Sequence, residues 1–261
     1  MPTRQRLLQR LEAIGASVSD AGDALALLGL GSVGAETERL DEYSDLDFFV
    51  IVKPACKPAY LTSLAWLARA HPLAYYFQNT VDGYKALFAD RIFCEFAIFE
   101  PHELTSIPFA SGRLIWKDDA FDETLCAPHP KQPILHTQEW LLGESLTNLY
   151  IGLARCQRGE ILSGTRFIQS YAVDHVLELA ASLETAQGAT EDPYARERRY
   201  ELRYPQAARS LLAFIQGYDK NAESALAILL FLEQHFVVNP AMSAAIRELC
   251  IQTMNKAESS S

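Results

Sequence analysis

The segment Pro128-His129-Pro130-Lys131-Gln132-Pro133 constrains this chain more than any other feature. Three prolines in six residues cannot sit inside a helix or a central strand, because proline lacks the amide hydrogen and clashes with the preceding turn. The segment therefore reads as a linker over 128–136, and the hydrophobic pattern changes across it. Before it, short apolar runs bounded by turn residues alternate with a few helical stretches. After it, apolar residues recur at helical spacing, which predicts helices over 137–158, 161–184, 205–217, 221–236 and 240–254. The expected architecture is α+β: a mixed-sheet domain over 1–127, a helical bundle over 137–257, and a frayed tail at 258–261.

Within the first half, Leu7, Leu8, Leu11 and Ile14 predict an amphipathic helix over 3–15. Residues 60–70 read as a second helix. Strands are expected over 24–28, 46–52, 73–77, 83–88 and 91–99, with Asn79 and Asp82-Gly83 as turn residues between the third and fourth. The aromatics Tyr75, Tyr76 and Phe77 read first as core and only second as a substrate wall.

Charge excludes one broad class of partner. The formal net charge is −10, which argues against general binding to nucleic acid and would favour a cationic small molecule. The five cysteines are scattered without a Cys-x-x-Cys pair, so neither a disulfide framework nor a zinc site is suggested. No stretch has the 18 consecutive apolar residues of a membrane span, and the first 18 residues lack a signal-peptide core. A reducing, cytoplasmic setting away from membranes is the default expectation.

The strand at 46–52 raises the chemical question. Asp45 and Asp47 stand at the mouth of Phe48-Phe49-Val50-Ile51-Val52. Alternation around Leu46 points both carboxylates to one face, roughly 7 Å apart at the α-carbons. They need water or a cation there. Two carboxylates so placed can share an oxygen-preferring ion such as Mg²⁺, and without one they repel. Upstream, Gly31-Ser32-Val33-Gly34 follows a strand and is expected to open a helix whose amides, with the Ser32 hydroxyl, hold phosphate oxygens.

A Gly-Ser turn, twelve intervening residues, then Asp-x-Asp opening an apolar strand resembles the signature of the DNA polymerase beta nucleotidyltransferase superfamily. That superfamily expects a third carboxylate on a neighbouring strand, and Glu95 in Arg91-Ile92-Phe93-Cys94-Glu95-Phe96 supplies one. The phrases LLGLGSVGAETERLDEYSDLDFFVIV, ALFADRIFCEFAIFE and CQRGEILSGTRFIQSYAVDHVLEL look like antibiotic nucleotidyltransferases, above all the lincosamide enzymes and more distantly kanamycin nucleotidyltransferase. Leu30 departs from the aromatic that many such enzymes carry before Gly31.

The resemblance implies a nucleotidyltransferase domain followed by helices that close a substrate cleft. It implies ATP or another nucleoside triphosphate as co-substrate and Mg²⁺ on Asp45, Asp47 and Glu95. Gly31 and Ser32 would grip the phosphates, with Lys53, Lys85 and Arg91 as candidate charge partners, and Glu95 would accept the proton of an acceptor hydroxyl. The acceptor it implies is a small antibiotic, a lincosamide first and an aminoglycoside second, and related enzymes allow a homodimer. The alternative is a regulatory or toxin-neutralising protein of the same fold, acting on a protein or RNA end.

Plainer expectations stand beside these. Asp41 reads as a loop residue and Glu100 as a surface charge. His175 reads as a packed or half-exposed histidine, and Arg166, Gln169 and Asp174 as solvated positions on a helix rather than cleft residues. The run Tyr194–Tyr200, basic with interleaved acids, reads as a solvated loop or helix.

Overall fold

A computed structural model describes residues 2–129, 135–189, 191–192 and 195–258. Most of the linker expected at 128–136, Tyr194 and the last three residues of the tail lie outside the described residues. The chain is α+β and divides into two compact units, Met1–Lys131 and Gln132–Ser261. Among the described residues no helix is long and apolar enough to cross a membrane.

The first unit is built on a six-stranded mixed sheet, in the order β3-β4-β5-β2-β1-β6. Its strands are β1 (Ala24–Leu30), β2 (Leu46–Val52), β3 (Leu73–Gln78), β4 (Gly83–Phe88), β5 (Phe93–Phe99) and β6 (Arg113–Lys117). β2 and β5 run parallel, and every other pair is antiparallel. Five of the strands lie where alternating apolar residues predict them. β6 is an addition: five residues, Arg-Leu-Ile-Trp-Lys, too short and too charged at its ends to stand out in the sequence.

Three helices cover one face: α1 (Arg4–Ala21), α2 (Lys57–Thr62) and α3 (Ala65–Ala70). Leu7, Leu11, Ile14 and Val18 form the apolar stripe of α1, and they share a core with Leu46, Phe48, Val50, Cys94, Phe96 and Ile98. The single helix expected over 60–70 is two, because Ser63 is extended between them and Pro58 starts the first one early. The sheet's second face is covered at one end by the chain that follows β5. There Leu28, Ile51 and Phe99 pack beneath Leu104, Phe109 and Phe121. Residues 101–105 and 123–126 in that cover are 3₁₀ turns.

The turn from β4 to β5 is fixed from α1. Arg91 sits there at φ +70°, and its amide donates to the carbonyl of Phe88 at 2.9 Å. The preceding Asp90 is clamped by Arg6 at 2.8 Å and Arg10 at 2.9 Å. Burial pushes the Asp90 carboxyl up, but the hydrogen bond and charge of Arg10, with His71 and Arg6, outweigh it and hold the group below the usual aspartate range. Arg10 is itself buried and lies over the Phe88 ring. This clamp sets where β5 begins and hence which residues it pairs.

The second unit is helical. Helices Gln138–Gln157, Asn221–His235 and Pro240–Glu258 pack with a helix over 161–181 around Leu149, Leu153, Ile168, Val176, Ile228, Leu229 and Ile246. The middle of that fourth helix, Phe167–Ala172, is a π-helical segment. It turns Gln169 inward, contrary to the solvated position expected for it. Gln169 is buried and bonds the backbone of Gly217 and the side chain of Asn221. The helix expected over 205–217 is a 3₁₀ turn, Ala207–Ser210, and one short helix, Leu211–Phe214. Pro205 blocks its start, where the Glu184 carboxylate accepts from the amides of Gln206 and Ala207. In the basic run, Arg196 pairs with Glu178 and Arg198 with Asp192, so its charges are used locally.

Candidate active site

The carboxylates lie where β2 and β5 begin, on the sheet face away from α1. Leu46, Phe48 and Val50 fill the helix side of β2, so alternation turns Asp47 to the other side. The same alternation on β5 buries Cys94, Phe96 and Ile98 and turns Glu95 outward. The parallel register pairs Leu46 with Cys94 and Asp47 with Glu95. Asp47 and Glu95 are therefore side by side on one face, about 4.8 Å apart at the strand spacing. Asp45 is the residue before β2 begins, and both it and Asp47 are half-buried. Their charge reaches through the sheet to Cys94. Burial foremost, and then Asp45 and Asp47, push that thiol up to about 12.

Asp47 also meets the glycine turn. It is the register partner of Leu30, and its carboxylate leans on Gly31, which sits at φ +54°. A Cβ at position 31 would stand 3.1 Å from Asp47 Oδ2. Glycine is thus required twice there, once for the backbone and once for the room. The turn does not open an α-helix as expected: Gly31–Val33 is a single 3₁₀ turn. It doubles back so tightly that a Cβ on Gly34 would lie 2.7 Å from the Gly29 carbonyl oxygen. Ser32 stands half-buried at its centre, and Arg113 holds it from β6 through the Val33 carbonyl at 3.2 Å.

Glu95 has two further neighbours. β4 pairs Lys85 directly with Glu95, and Lys85 Nζ lies 3.0 Å from Glu95 Oε2. From the β3–β4 turn, Asn79 Nδ2 donates to Glu95 Oε1 at 3.0 Å. Both carboxylate oxygens are therefore engaged on the β4 side. This accounts for a second observation: among the described residues, no three His, Cys, Asp or Glu side chains gather closely enough to hold a metal ion as they stand. Asn79 was legible in the sequence only as a turn residue. Its Oδ1 is buried without a hydrogen-bond partner.

Of the candidate phosphate partners, Lys85 alone joins the row. Lys53 lies past the far end of β2, six residues and so roughly 20 Å from Asp47, where its ammonium bonds the Gly22 carbonyl at 2.7 Å. Arg91 is exposed in the β4–β5 turn, four residues before Glu95. Asp41 closes its own loop, accepting from the Tyr43 amide and the Ser44 hydroxyl. Glu100, expected as a plain surface charge, caps the 3₁₀ turn at Pro101–Thr105 and accepts from the Ala55 amide at 2.8 Å. In the second unit, Arg166 and Asp174 are exposed, and His175 is half-buried with its ring edge-on to Trp140.

The aromatics of β3 are not core. Tyr75, Tyr76 and Phe77 are 55%, 55% and 44% exposed. They belong to the sheet's outermost strand, which pairs on one side only, and their side chains stay at the surface.

No protein-family description matches the chain, and no curated protein matches it. Among solved structures, an aminoglycoside 6-adenyltransferase from Bacillus subtilis aligns over 99% of this chain and 98% of its own, at 13% identity and a TM-score of 0.33. A nucleotidyltransferase-like protein from Exiguobacterium sibiricum aligns over 95% of this chain and 80% of its own, at 10% identity and a TM-score of 0.31. Both likenesses are below the level at which a shared fold or activity follows.

Proposed function

We propose that the first unit is a nucleotidyltransferase catalytic unit, moving a nucleoside monophosphate, AMP from ATP in the first instance, onto a hydroxyl of a small acceptor. The observation that carries this is the pairing of Asp47 with Glu95 in register, with Asp47 Oδ2 set so close to the glycine turn that a Cβ at position 31 would stand 3.1 Å from it. The donor set fits a hard divalent cation: Asp47 and Glu95 in register on one sheet face, Asp45 just before β2, and no histidine or cysteine in the row. Asp45 and Asp47 would hold Mg²⁺, and Glu95 would join them on leaving Lys85. When bound, the ion neutralises the triphosphate and offsets charge at the reacting phosphorus.

The chain's own groups do the rest. Gly31 and Ser32 hold the β- and γ-phosphates through backbone amides and the hydroxyl. Lys85, released from Glu95, moves to the phosphate charge. Glu95 accepts the proton of the acceptor hydroxyl. That oxygen forms a bond to the α-phosphorus, the bond from the α-phosphorus to the bridging oxygen breaks, and pyrophosphate leaves with the electron pair. The acceptor suggested by the sequence resemblance is a lincosamide, with an aminoglycoside second.

One observation favours the binding-protein alternative: both oxygens of Glu95 are already bonded. Pyrophosphate release separates the two. The protein is incubated with ATP and Mg²⁺, with and without lincomycin or kanamycin, and the product is weighed by mass spectrometry. A mass gain of one nucleotide monophosphate, absent in Asp47→Asn, supports the enzyme. Equal release by Asp47→Asn contradicts it.

A further inference from the structure

The row that carries the carboxylates runs on to the edge of the sheet. Leu30 opposes Asp47, Asp47 lies beside Glu95, Glu95 opposes Lys85, and Lys85 opposes Phe77. Directly paired residues share a face, so all five project from the same side of the sheet. The next row on that face is Tyr75, Leu87 and Phe93. Tyr75 and Phe77 touch, with ring centroids 5.9 Å apart, and Phe93 is 36% exposed. Two accessible aromatic rings, Tyr75 and Phe77, therefore border the polar row at its β3 end, while Phe93 lies on β5 beside Glu95.

Reaction geometry says which reactant belongs there. Phosphoryl displacement is in line, so the entering oxygen and the leaving pyrophosphate occupy opposite sides of the phosphorus. The phosphate-gripping turn, Gly31-Ser32, lies at the β1 end of the row, beyond Asp47. The entering hydroxyl then comes from the opposite end, past Glu95 and Lys85, where Tyr75 and Phe77 lie. Asn79 stands at the same end. Its amide nitrogen is committed to Glu95, which fixes its Oδ1 as the free acceptor, and that oxygen is buried with no donor.

We infer that Tyr75 and Phe77 are the shelf on which the acceptor's ring lies, with Asn79 Oδ1 receiving a hydrogen bond from it. The ligand class is a hydroxylated ring with one apolar face and donors at its rim, as in a sugar. The apolar face covers the aromatic rings, and a rim hydroxyl or ammonium satisfies Asn79. This rests on the nucleotide-transfer proposal, and it places specificity for the acceptor on the outermost strand of the sheet.

Isothermal titration separates the shelf from the nucleotide site. Wild type, Phe77→Ala, Tyr75→Ala/Phe77→Ala and Asn79→Ala are titrated with α,β-methylene-ATP in Mg²⁺. Each is then titrated, saturated with that nucleotide, with kanamycin and with lincomycin. Because Tyr75 and Phe77 are exposed, the alanine variants are expected to keep the wild-type melting temperature within a few degrees, which thermal unfolding checks. The inference expects the nucleotide affinity to stay within twofold. It expects affinity for the probe that binds to fall at least tenfold in the double variant, and about fivefold in Asn79→Ala. Unchanged probe affinity overturns the shelf. A comparable fall in nucleotide affinity also overturns it and assigns the rings to the nucleobase. If neither probe binds wild type while the nucleotide does, the acceptor assignment fails and the nucleotide site stands. If the nucleotide itself does not bind, the underlying proposal fails and the inference with it.

Discussion

Two groups of charged residues in the first unit are organised in opposite ways. At the β4–β5 turn one carboxylate, Asp90, faces two arginines, with His71 Nδ1 at 3.9 Å as a third basic neighbour. At the start of β2 and β5 three carboxylates, Asp45, Asp47 and Glu95, share a sheet face with one lysine. The first is over-neutralised, with Arg10 and Asp90 both largely buried. The second sets three carboxylates near one lysine, Lys85, which lies 3.0 Å from Glu95 Oε2. Ion pairs that hold a fold together are arranged so that each charge is satisfied; a surplus of one sign on a rigid face is the arrangement of a binding site.

Breaking each group should therefore have a different consequence. The largest effect is expected at the site. Asp47→Asn should lower pyrophosphate release from Mg·ATP by about 100-fold or more, measured by a coupled phosphate assay, with the far-ultraviolet circular dichroism unchanged. Next is the clamp. Asp90→Asn leaves Arg10 buried without its carboxylate and should cost about 2 kcal/mol in urea unfolding, with nucleotide affinity kept. Because the folded state holds the Asp90 carboxyl below its ordinary range, this stabilisation is complete above the unfolded aspartate pKa. It is lost as pH falls below that value and through the lower folded one. The difference in stability between wild type and Asp90→Asn should accordingly shrink on acidification, read from urea curves at stepped pH.

Smaller effects sharpen the contrast. Gly31→Ala places a side chain at positive φ and against Asp47 Oδ2. It should cost about 1 kcal/mol of stability, while weakening nucleotide binding in the same titration that Asp90→Asn leaves alone. Asp45→Asn should do the opposite of Asp90→Asn. Removing one of three like charges should leave stability unchanged or raise it by about 0.5 kcal/mol, seen as an equal or higher urea midpoint.

How much of this was legible in the sequence follows from range. The bounds of β2 at Leu46–Val52 and the outward direction of Asp47 are local consequences of alternation, so they could be read directly. Pattern also places Glu95 on a strand, and the superfamily resemblance implies that the strand neighbours β2, as it does. The capture of Glu95 by Lys85 follows from neither, because the pairing depends on where the β4–β5 turn falls. With Arg91 taken as strand, the register is lost; with the turn at Ala89–Arg91, Lys85 must oppose Glu95. That turn is fixed by Arg6 and Arg10, some 80 residues earlier, a contact no local pattern carries.

Exposure was misjudged for a related reason. Tyr75, Tyr76 and Phe77 have the composition of a buried strand, and only their place at the end of the strand order leaves them in solvent. Lys53 was close to the aspartates in sequence and lies far from them in space, since the intervening residues are fully extended. Gln169 differs in kind: the solvated helix position expected for it does not hold, because a π-helical segment turns it inward.

The account turns on Asp45, Asp47 and Glu95 receiving a divalent cation with its nucleotide on one face of the sheet. Mn²⁺, standing in for Mg²⁺, tests this directly by paramagnetic broadening of backbone amide signals in the presence of α,β-methylene-ATP. The account predicts broadening centred on Gly31–Gly34, Asp45–Phe48 and Cys94–Phe96 and fading with distance from them, and its loss in Asp47→Asn. Broadening centred elsewhere in the chain, or the same pattern and strength in Asp47→Asn, would contradict it.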